Sequence, residues 1–265
     1  MEVIICSDEE AVGAVGAAKV AKIAREVGPG VVLGVATGGS PLATYAHLAA
    51  MVNERKLDLS RASAFALDEY VGLPIDHPQS YFATIKRCVT DELHLNPLRV
   101  HVPDGDPATL ATAGERYETQ IKQAGGVDVQ ILGIGANGHI GFNEPTSSLT
   151  SRTRVKTLAP RTRADNARFF PHLDDVPHHC VTQGIGTIMD ARNIVLVATG
   201  VNKANAVAAV VEGPVTAMFP GSVLQMHQHA TVIVDEAAAE LLAMSVYYKQ
   251  IYAELPDWQK LDVDV

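Results

Sequence analysis

The sequence lacks the features of a membrane or exported protein. Hydrophobic residues make up 47% of the 265 residues, yet no uninterrupted apolar run approaches the roughly 20 residues that a membrane-spanning helix needs. The opening stretch, MEVIICSDEE, has no basic segment followed by an apolar stretch and a small-residue cleavage site. We therefore expect a soluble protein of the cytoplasm, with no membrane partner.

Cysteine is scarce. The three cysteines, Cys6, Cys88 and Cys180, are far apart and outside any CxxC pattern. This spacing favours reduced thiols over a disulfide framework or a zinc site. His178 and His179 are adjacent but have no partner at a metal-ligand spacing, so we expect no metal centre.

The chain has fewer basic than acidic residues. The chain has 21 Lys and Arg against 30 Asp and Glu, a formal net charge of −9. This is the wrong sign for a protein whose main role is to coat nucleic acid. Because an acidic surface repels anions at long range, a phosphorylated ligand would need a few basic side chains focused in one cleft.

Apolar segments alternate with helical ones along the chain. Strands are predicted for EVIIC, VVLGVA, ASAFAL, RVHV, VDVQIL, NIVLVA and ATVIVD. Their lack of polar alternation is typical of parallel strands covered on both faces. Helices are predicted between them, and one through EAAAELLAMSVYYKQIYAEL near the end. The pattern predicts an α/β fold with a single doubly wound, mostly parallel sheet and helices on both faces (Rossmann-like), in one domain over residues 1–265.

Glycine and small polar residues follow the second predicted strand. Thr37, Gly38, Gly39 and Ser40 stand before a helix that begins at Pro41, a favoured first helical residue. Glycine lets the backbone approach an anion closely, and a helix N-terminus stabilises the anion. The loop fits a phosphate site without the GKS or GKT of a Walker loop, although such a turn also needs glycine for conformational reasons alone.

Two acidic residues, Asp68 and Glu69, follow the third predicted strand. A carboxylate at the C-terminal tip of a strand is well placed for general acid/base work, because ligands of such sheets gather there. The alternative is that Asp68 caps a turn and Glu69 is solvated.

The segment GIGANGHIGFNEP places His139 and Glu144 five residues apart in a glycine-rich loop after a strand. A neighbouring carboxylate would orient the imidazole and raise its basicity. The alternative is an ordinary surface histidine.

Several segments stand in a specific order along the chain: ATGGSPLATY, LDEYVGL with HPQSY, GIGANGHIGFNEP, SRTRVKTL and ARFF. In this order they resemble the glucosamine-6-phosphate deaminases of the glucosamine/galactosamine-6-phosphate isomerase family, from residue 1 to about residue 250. The resemblance implies conversion of glucosamine 6-phosphate and water into fructose 6-phosphate and ammonia, in amino-sugar (N-acetylglucosamine) catabolism, without a metal or organic cofactor.

The resemblance implies a role for each catalytic candidate. Asp68 matches the base that takes a proton from C2 and delivers it to C1. His139 matches the histidine that moves a proton between the ring oxygen and the anomeric hydroxyl, and Glu144 orients it. Asn137 departs from members that carry aspartate there. Its amide can hydrogen-bond to the imidazole or to a sugar hydroxyl but supplies no charge.

The resemblance also implies phosphate ligands, namely the loop 37–40 with Arg168 and Lys203. Two cations in a net-acidic protein would converge on a dianion, and a guanidinium can engage two of its oxygens. Judged from the residues alone, Arg168 would form an ordinary surface ion pair.

Regulation is the third implication. Some family members are hexamers activated by N-acetylglucosamine 6-phosphate, and others are unregulated with smaller assemblies. Ser147, Arg154, Lys156 and Thr157 match the positions that hold the effector phosphate between subunits, so a homo-oligomer is expected. The alternative is that SRTRVKT is a basic strand on a solvated face.

Two other functions remain open. A 6-phosphogluconolactonase-like hydrolase would share the fold and the phosphate loop but should lack FNEP and HPQSY, and both are present. A non-enzymatic sugar-phosphate sensor should carry a helix-turn-helix segment before its first strand. Here a strand is predicted within the first six residues, which leaves no room for a DNA reader.

Overall fold

The computed structural model describes residues 1–263, which form two sheets and eight α-helices. The strands are β1 (Glu2–Cys6), β2 (Val32–Val35), β3 (Ser63–Ala66), β4 (Asp68–Tyr70), β5 (Val100–His101), β6 (Val129–Leu132), β7 (Arg154–Thr157), β8 (His179–Thr182), β9 (Asn193–Ala198) and β10 (Ala230–Asp235). The helices are α1 (Glu9–Val27), α2 (Gly39–Asn53), α3 (Tyr81–Ile85), α4 (Leu110–Gln123), α5 (Pro160–Asn166), α6 (Ile185–Met189), α7 (Ala204–Val211) and α8 (Ser245–Ala253).

Seven strands form one parallel sheet, in the order β1-β10-β9-β6-β2-β3-β5. The strands β2, β6 and β10 are buried at every position, as expected where helices cover both faces. One apolar cluster packs α1 and α2 against one face, and a second packs α4 and α7 against the other. The predicted doubly wound α/β fold is confirmed.

The first helix shows how local sequence builds these layers. The Asp8 side chain accepts the N–H of Ala11 at 2.9 Å, and Glu9 and Glu10 follow in the first turn. Both features stabilise a helix N-terminus. A Cβ at Gly13 would lie 2.6 Å from that of Ala43, so glycine there allows α1 to pack closely on α2.

The direction in which strands are added reverses between β2 and β6. From β2 the chain proceeds to β3 and β5, returns to β6 on the other side of β2, and continues to β9 and β10. Doubly wound sheets bind ligands outside the carboxyl ends of their strands at such a reversal. The loops 37–40 and 133–144 follow β2 and β6, so the two glycine-rich segments lie side by side there.

A second, antiparallel sheet in the order β4-β8-β7 was not predicted. The strand β3 ends at Ala66, and Asp68 begins β4 opposite Thr182 of β8. Asp68 therefore follows the third strand of the parallel sheet, but as the first residue of a strand in a second sheet. Aspartate and glutamate are depleted in strands, so the sequence DEY gives no signal for one.

The C-terminal helix is shorter than predicted. Turns occupy 236–241 and 243–244, and α8 begins only at Ser245. Glu212 accepts the backbone N–H groups of Ala243 and Met244 at 2.8 and 2.9 Å. Asp235 accepts that of Ala238 at 2.7 Å. These carboxylates satisfy backbone donors in a turn, which competes with helix in this alanine-rich segment.

Within residues 1–263, the cysteines and the potential metal-binding side chains do not form clusters. Cys6, Cys88 and Cys180 are free thiols, the first and last of them buried. In the described part of the chain, no group of three or more His, Cys, Asp or Glu side chains is placed to hold a metal ion. No helix within residues 1–263 is both long and apolar enough to cross a membrane.

Candidate active site

Asp68 is a buried carboxylate at the start of β4. Its residue is 6% exposed. Burial and, after it, the charge of Glu69 raise the pKa of Asp68 to about 8. A carboxyl group with a pKa near neutrality suits both taking and returning a proton. Burial excludes the alternative in which this pair simply caps a solvated turn.

Glu69 is buried as well, and it ties β4 to the start of α3. Its Oε1 accepts the backbone N–H groups of Tyr70 and Tyr81 at 2.7 and 2.9 Å, and its Oε2 accepts that of Phe82 at 2.8 Å. The hydroxyl of Tyr81 then donates to that of Tyr70 at 3.3 Å. These contacts explain why LDEY and HPQSY occur together in the sequence.

The glycine-rich loop after β6 is built around the ring of His139. Gly138 has a φ of 79°, which glycine adopts readily. The N–H of Gly135 donates to the carbonyl of His139 at 2.9 Å. A Cβ at Gly135 would overlap the imidazole, so glycine at this position provides the space that the ring occupies.

Glu144 is the centre of a hydrogen-bond cluster beside His139. Its Oε2 accepts Asn137 Nδ2 at 2.7 Å and lies 3.5 Å from His139 Nδ1, the outer limit of a hydrogen bond. Its Oε1 accepts the hydroxyl of Thr162. Burial acts to raise the pKa of Glu144, but the hydrogen bond and charge of His139, with the bonds from Thr162 and Asn137, lower it to about 2. The ionised carboxylate faces Nδ1, which leaves Nε2 for proton exchange.

The side chain of Asn137 forms a hydrogen bond with Glu144 but none with the imidazole of His139. Besides donating to Glu144, it accepts the backbone N–H of His139 at 3.3 Å through Oδ1. It forms no hydrogen bond to the imidazole ring, which was one of its two expected roles. An amide donor beside Glu144 avoids the repulsion that a second carboxylate would create.

Asp68 lies beside the loop that carries His139. Asp68 Oδ2 is 3.5 Å from the position that a Cβ on Gly141 would take. Gly141 is two residues after His139, and two residues span at most about 7 Å. The Asp68 carboxylate and the backbone of His139 therefore lie at the same end of the parallel sheet.

The loop after β2 presents an open helix N-terminus. No side chain caps the 15-residue α2, whose preceding residue Gly38 has a φ of 120°. Nothing lies within 4 Å of the Cβ positions of Gly38 and Gly39. Thr37 is half-buried, and Ser40 Oγ lies 3.3 Å from Thr199 Oγ1. The unpaired N–H groups of the first turn can receive an anion there.

Lys203 and Arg168 bring positive charge to the same region. Lys203 Nζ donates to the carbonyl of Ile134, in the strand-to-loop turn after β6, at 2.7 Å. Burial and then the charge of Arg168 lower the pKa of Lys203, while Asp165 opposes them. Two cations thus lie near one another.

Neither cation is neutralised by a salt bridge. Across residues 1–263, no carboxylate lies within 4 Å of either Arg168 or Lys203. The guanidinium of Arg168 instead lies 4.7 Å from the ring centroid of Phe169. The surface ion pair expected from the residues alone was therefore wrong.

The four residues matched to an effector lie in two places. Ser147 is buried, and its Oγ has no hydrogen-bond partner. Arg154, Lys156 and Thr157 lie on β7, an edge strand that alternates half-buried and exposed positions. Residues 154–157 of SRTRVKT form a strand, in which Arg154 and Lys156 are half-buried. No hydrogen bond joins Ser147 to β7.

Sequence reasoning missed the contribution of α5. Thr162 bonds Glu144, and Asn166 Nδ2 donates to the hydroxyl of Tyr70 at 2.8 Å. The one available signal was their spacing of four residues, which puts both side chains on the same face of a helix. Their partners depend on tertiary packing that no local pattern specifies.

The burial of Asp68 can be tested through the pH dependence of the folding stability. Its raised pKa means that the folded state binds more protons than the unfolded state between about pH 4 and pH 8, so stability falls as pH rises through that window. Asp68→Asn removes this dependence. The measurement, by calorimetry, is the melting temperature of Asp68→Asn minus that of the parent. This difference should increase by several degrees from pH 5 to pH 8.5. An equal difference at both pH values would show that the carboxyl titrates normally.

Known proteins match the chain over nearly its whole length. The family model described as "Glucosamine-6-phosphate isomerases/6-phosphogluconolactonase" matches residues 7–233. A glucosamine-6-phosphate deaminase of Cutibacterium acnes is 63% identical over 250 residues, 94% of this chain and 95% of the relative. One of Arthrobacter sp. is 55% identical over 261 residues, 98% of this chain and 100% of the relative.

Solved structures agree with this grouping. A monomeric glucosamine-6-phosphate deaminase is 40% identical, with a TM-score of 0.88 over 91% of this chain and 100% of its own. A 6-phosphogluconolactonase from Trypanosoma cruzi is 18% identical, with a TM-score of 0.72 over 91% of this chain and 97% of its own, which shows a shared fold alone. The chain belongs to the glucosamine-6-phosphate isomerase/6-phosphogluconolactonase family and, within it, groups with the glucosamine-6-phosphate deaminases.

Proposed function

We propose that this chain is an enzyme that converts glucosamine 6-phosphate and water into fructose 6-phosphate and ammonia, a reaction of amino-sugar catabolism. The observation that carries the proposal is the approach of the buried Asp68 carboxylate to the loop that holds the His139–Glu144 pair. Relatives named glucosamine-6-phosphate deaminase, at up to 63% identity, support it. Both sheets supply residues to the site, and we propose that residues 1–265 act as one domain.

Ring opening is the step assigned to His139. Nε2 takes the proton of the anomeric hydroxyl as the bond between C1 and the ring oxygen breaks, and the imidazolium returns it to that oxygen. The products are an aldehyde at C1 and a hydroxyl at C5. Glu144, ionised because its pKa is low, faces Nδ1 and stabilises the transient positive charge.

Isomerisation is the step assigned to Asp68. The ionised carboxylate takes the proton from C2, and the C1 oxygen takes a proton from the neighbouring ammonium group of the substrate, which gives a neutral enolamine. The carboxyl group returns its proton to C1, which leaves an iminium at C2. Water adds to C2, ammonia departs, and the C2 carbonyl of the ketose forms. One carboxylate thus serves two neighbouring carbons.

The phosphate is held by the N-terminus of α2 together with Arg168 and Lys203. Replacing Arg168 by Ala should raise KM by a factor on the order of 10 to 100, because a hydrogen bond to a charged group contributes about 1.5–3 kcal/mol. The value of kcat should change much less. Initial rates of ammonium release across substrate concentrations measure both constants, and an unchanged KM would place the phosphate elsewhere.

The lactonase function is tested with the same purified protein. A 6-phosphogluconolactonase acts on an ester and needs no proton transfer at C2, so the buried Asp68 would have no task. We expect ammonium release from glucosamine 6-phosphate and no hydrolysis of 6-phosphogluconolactone above the spontaneous rate. Lactone hydrolysis without ammonium release would reverse the assignment.

Regulation, assembly and location are extensions of the proposal. We propose that N-acetylglucosamine 6-phosphate acts as an effector near Ser147, Arg154, Lys156 and Thr157, in a homo-oligomer of the cytoplasm. The unpaired buried hydroxyl of Ser147 and the basic edge strand β7 support it. The 40% identical relative is monomeric. Rates with and without this sugar phosphate, together with the mass in solution, test it.

A further inference from the structure

The hydroxyl of Thr162 holds the catalytic carboxylate from outside the glycine-rich loop. Thr162 is 6% exposed, belongs to α5, and donates Oγ1 to Glu144 Oε1 across 18 residues of sequence. The other oxygen, Oε2, accepts Asn137 Nδ2 and faces His139 Nδ1. Each carboxylate oxygen therefore has its own donor, and only one of these donors comes from the loop itself.

A second hydrogen-bond donor prevents a rotation of the Glu144 carboxylate that a single donor would allow. The terminal torsion of a glutamate is broad, so a carboxylate held through Oε2 alone can turn about that bond. A second donor on Oε1 fixes the carboxylate plane. His139 Nδ1 lies 3.5 Å from Oε2 and forms no hydrogen bond of normal length. The carboxylate therefore orients the ring through its charge, and a small rotation would weaken that attraction.

We propose that Thr162 is a positioning residue for ring opening. Its hydroxyl holds Glu144 so that His139 presents Nε2 to the sugar, and it takes no part in proton transfer at C2 and C1. This inference rests on the proposed function, and it deepens it by assigning a residue outside the glycine-rich loop to one of the two chemical steps.

The architecture of α5 separates this effect from the Asp68 step. Asn166, one turn after Thr162, donates to the hydroxyl of Tyr70 on β4, the strand that Asp68 begins. The helix thus contacts Glu144 and the strand that Asp68 begins through different side chains. A change at Thr162 that preserves its volume leaves the Asn166 contact in place, so only the Glu144 side should respond.

The test compares two threonine variants with matched chemistry. Thr162→Val removes the hydroxyl and preserves the shape, and Thr162→Ser restores a donor. The control is Thr187→Val: Thr187 is 5% exposed and donates Oγ1 to Glu118 Oε1 at 2.5 Å, a contact with no role in the proposed mechanism. Both valine variants lose a hydroxyl bonded to a glutamate, so general loss of stability affects both.

Two substrates distinguish the two steps. The first is glucosamine 6-phosphate, and the second is its analogue without the C4 and C5 hydroxyls, which can close neither a six-membered nor a five-membered ring. Thr162→Val should lower kcat about 10-fold on the first substrate and less than about 2-fold on the second, as expected when one charge-assisted hydrogen bond orients a catalytic group. Thr162→Ser should recover most of the loss. Thr187→Val should act equally on both substrates.

A double-mutant cycle with His139→Gln tests whether Thr162 acts through the histidine, with glucosamine 6-phosphate as the only substrate. If Thr162 acts through the histidine, adding Thr162→Val to His139→Gln should lower kcat by less than about 2-fold. Additive losses, equal losses on both substrates, or a Thr162→Val enzyme as active as Thr187→Val would each overturn the inference. A parent protein that releases no ammonium would instead overturn the proposed function.

Discussion

Asp68→Asn is expected to lower kcat by about 10²- to 10⁴-fold, the usual contribution of a positioned general acid or base, while KM changes little. The amide fills the same space but cannot take the proton from C2, so only proton transfer is lost. Initial rates of ammonium release from glucosamine 6-phosphate measure the effect. Ammonium release at the parent rate would show that another group acts at C2.

Asp128→Asn is the matched control for this variant. Asp128 is also buried, but it lies just before β6, at the opposite end of the parallel sheet, where it accepts the N–H of Val32 and pairs with Arg192. We expect it to lose stability and keep its kcat. In the parent, kcat/KM should rise with pH up to about 8, because Asp68 must be ionised to accept a proton and its pKa is about 8.

His139→Gln is expected to lower kcat on glucosamine 6-phosphate by on the order of 10²-fold, with partial rescue on the analogue that cannot close the pyranose. Glutamine keeps a polar group in the space beside Gly135 but cannot shuttle a proton. The ratio of the two kcat values is the measurement. Asp68→Asn is the control, because it loses a step that both substrates require and should show no rescue. Equal loss on both substrates would place the histidine after ring opening.

The sequence predicts those parts of the fold that depend on local pattern. Apolar runs such as NIVLVA and ATVIVD became central parallel strands, because burial on both faces demands continuous apolar residues. The glycine-rich loops fell at the carboxyl ends of β2 and β6, where the sheet reverses. Their glycines mark places where the backbone needs a positive φ, as at Gly38, or where a side chain needs space, as at Gly135.

Features that depend on distant contacts could not be predicted. The strand β4 consists of polar residues that pair with β8, more than 100 residues away in sequence, and no local propensity indicates it. The burial of Glu69 follows from three backbone donors, two of which come from the start of α3. Similarly, α8 begins late because Glu212 accepts backbone N–H groups that the predicted helix would have used.

The candidate active site also combines contacts that the local sequence predicts with contacts between residues that are distant in sequence. His139 and Glu144 stand close in one loop, so their pairing could be expected from sequence. Thr162 contacts Glu144 only because α5 packs against the loop, and Asp68 lies near the loop only because β4 lies beside Gly141. The family resemblance supplied the pairing of Asp68 with His139, and the structure places Asp68 beside Gly141 in the loop that carries His139.

The central claim is that Asp68 and His139 act on the same hexose to exchange an amine for a carbonyl. The most direct measurement incubates the purified protein with glucosamine 6-phosphate, with and without a chelator, and quantifies ammonium and fructose 6-phosphate in the same samples. The account predicts equal amounts of the two products, in both conditions, and an initial rate of each that is at least about 10²-fold lower with Asp68→Asn. Ammonium without the ketose, or no ammonium from the parent protein, would contradict it.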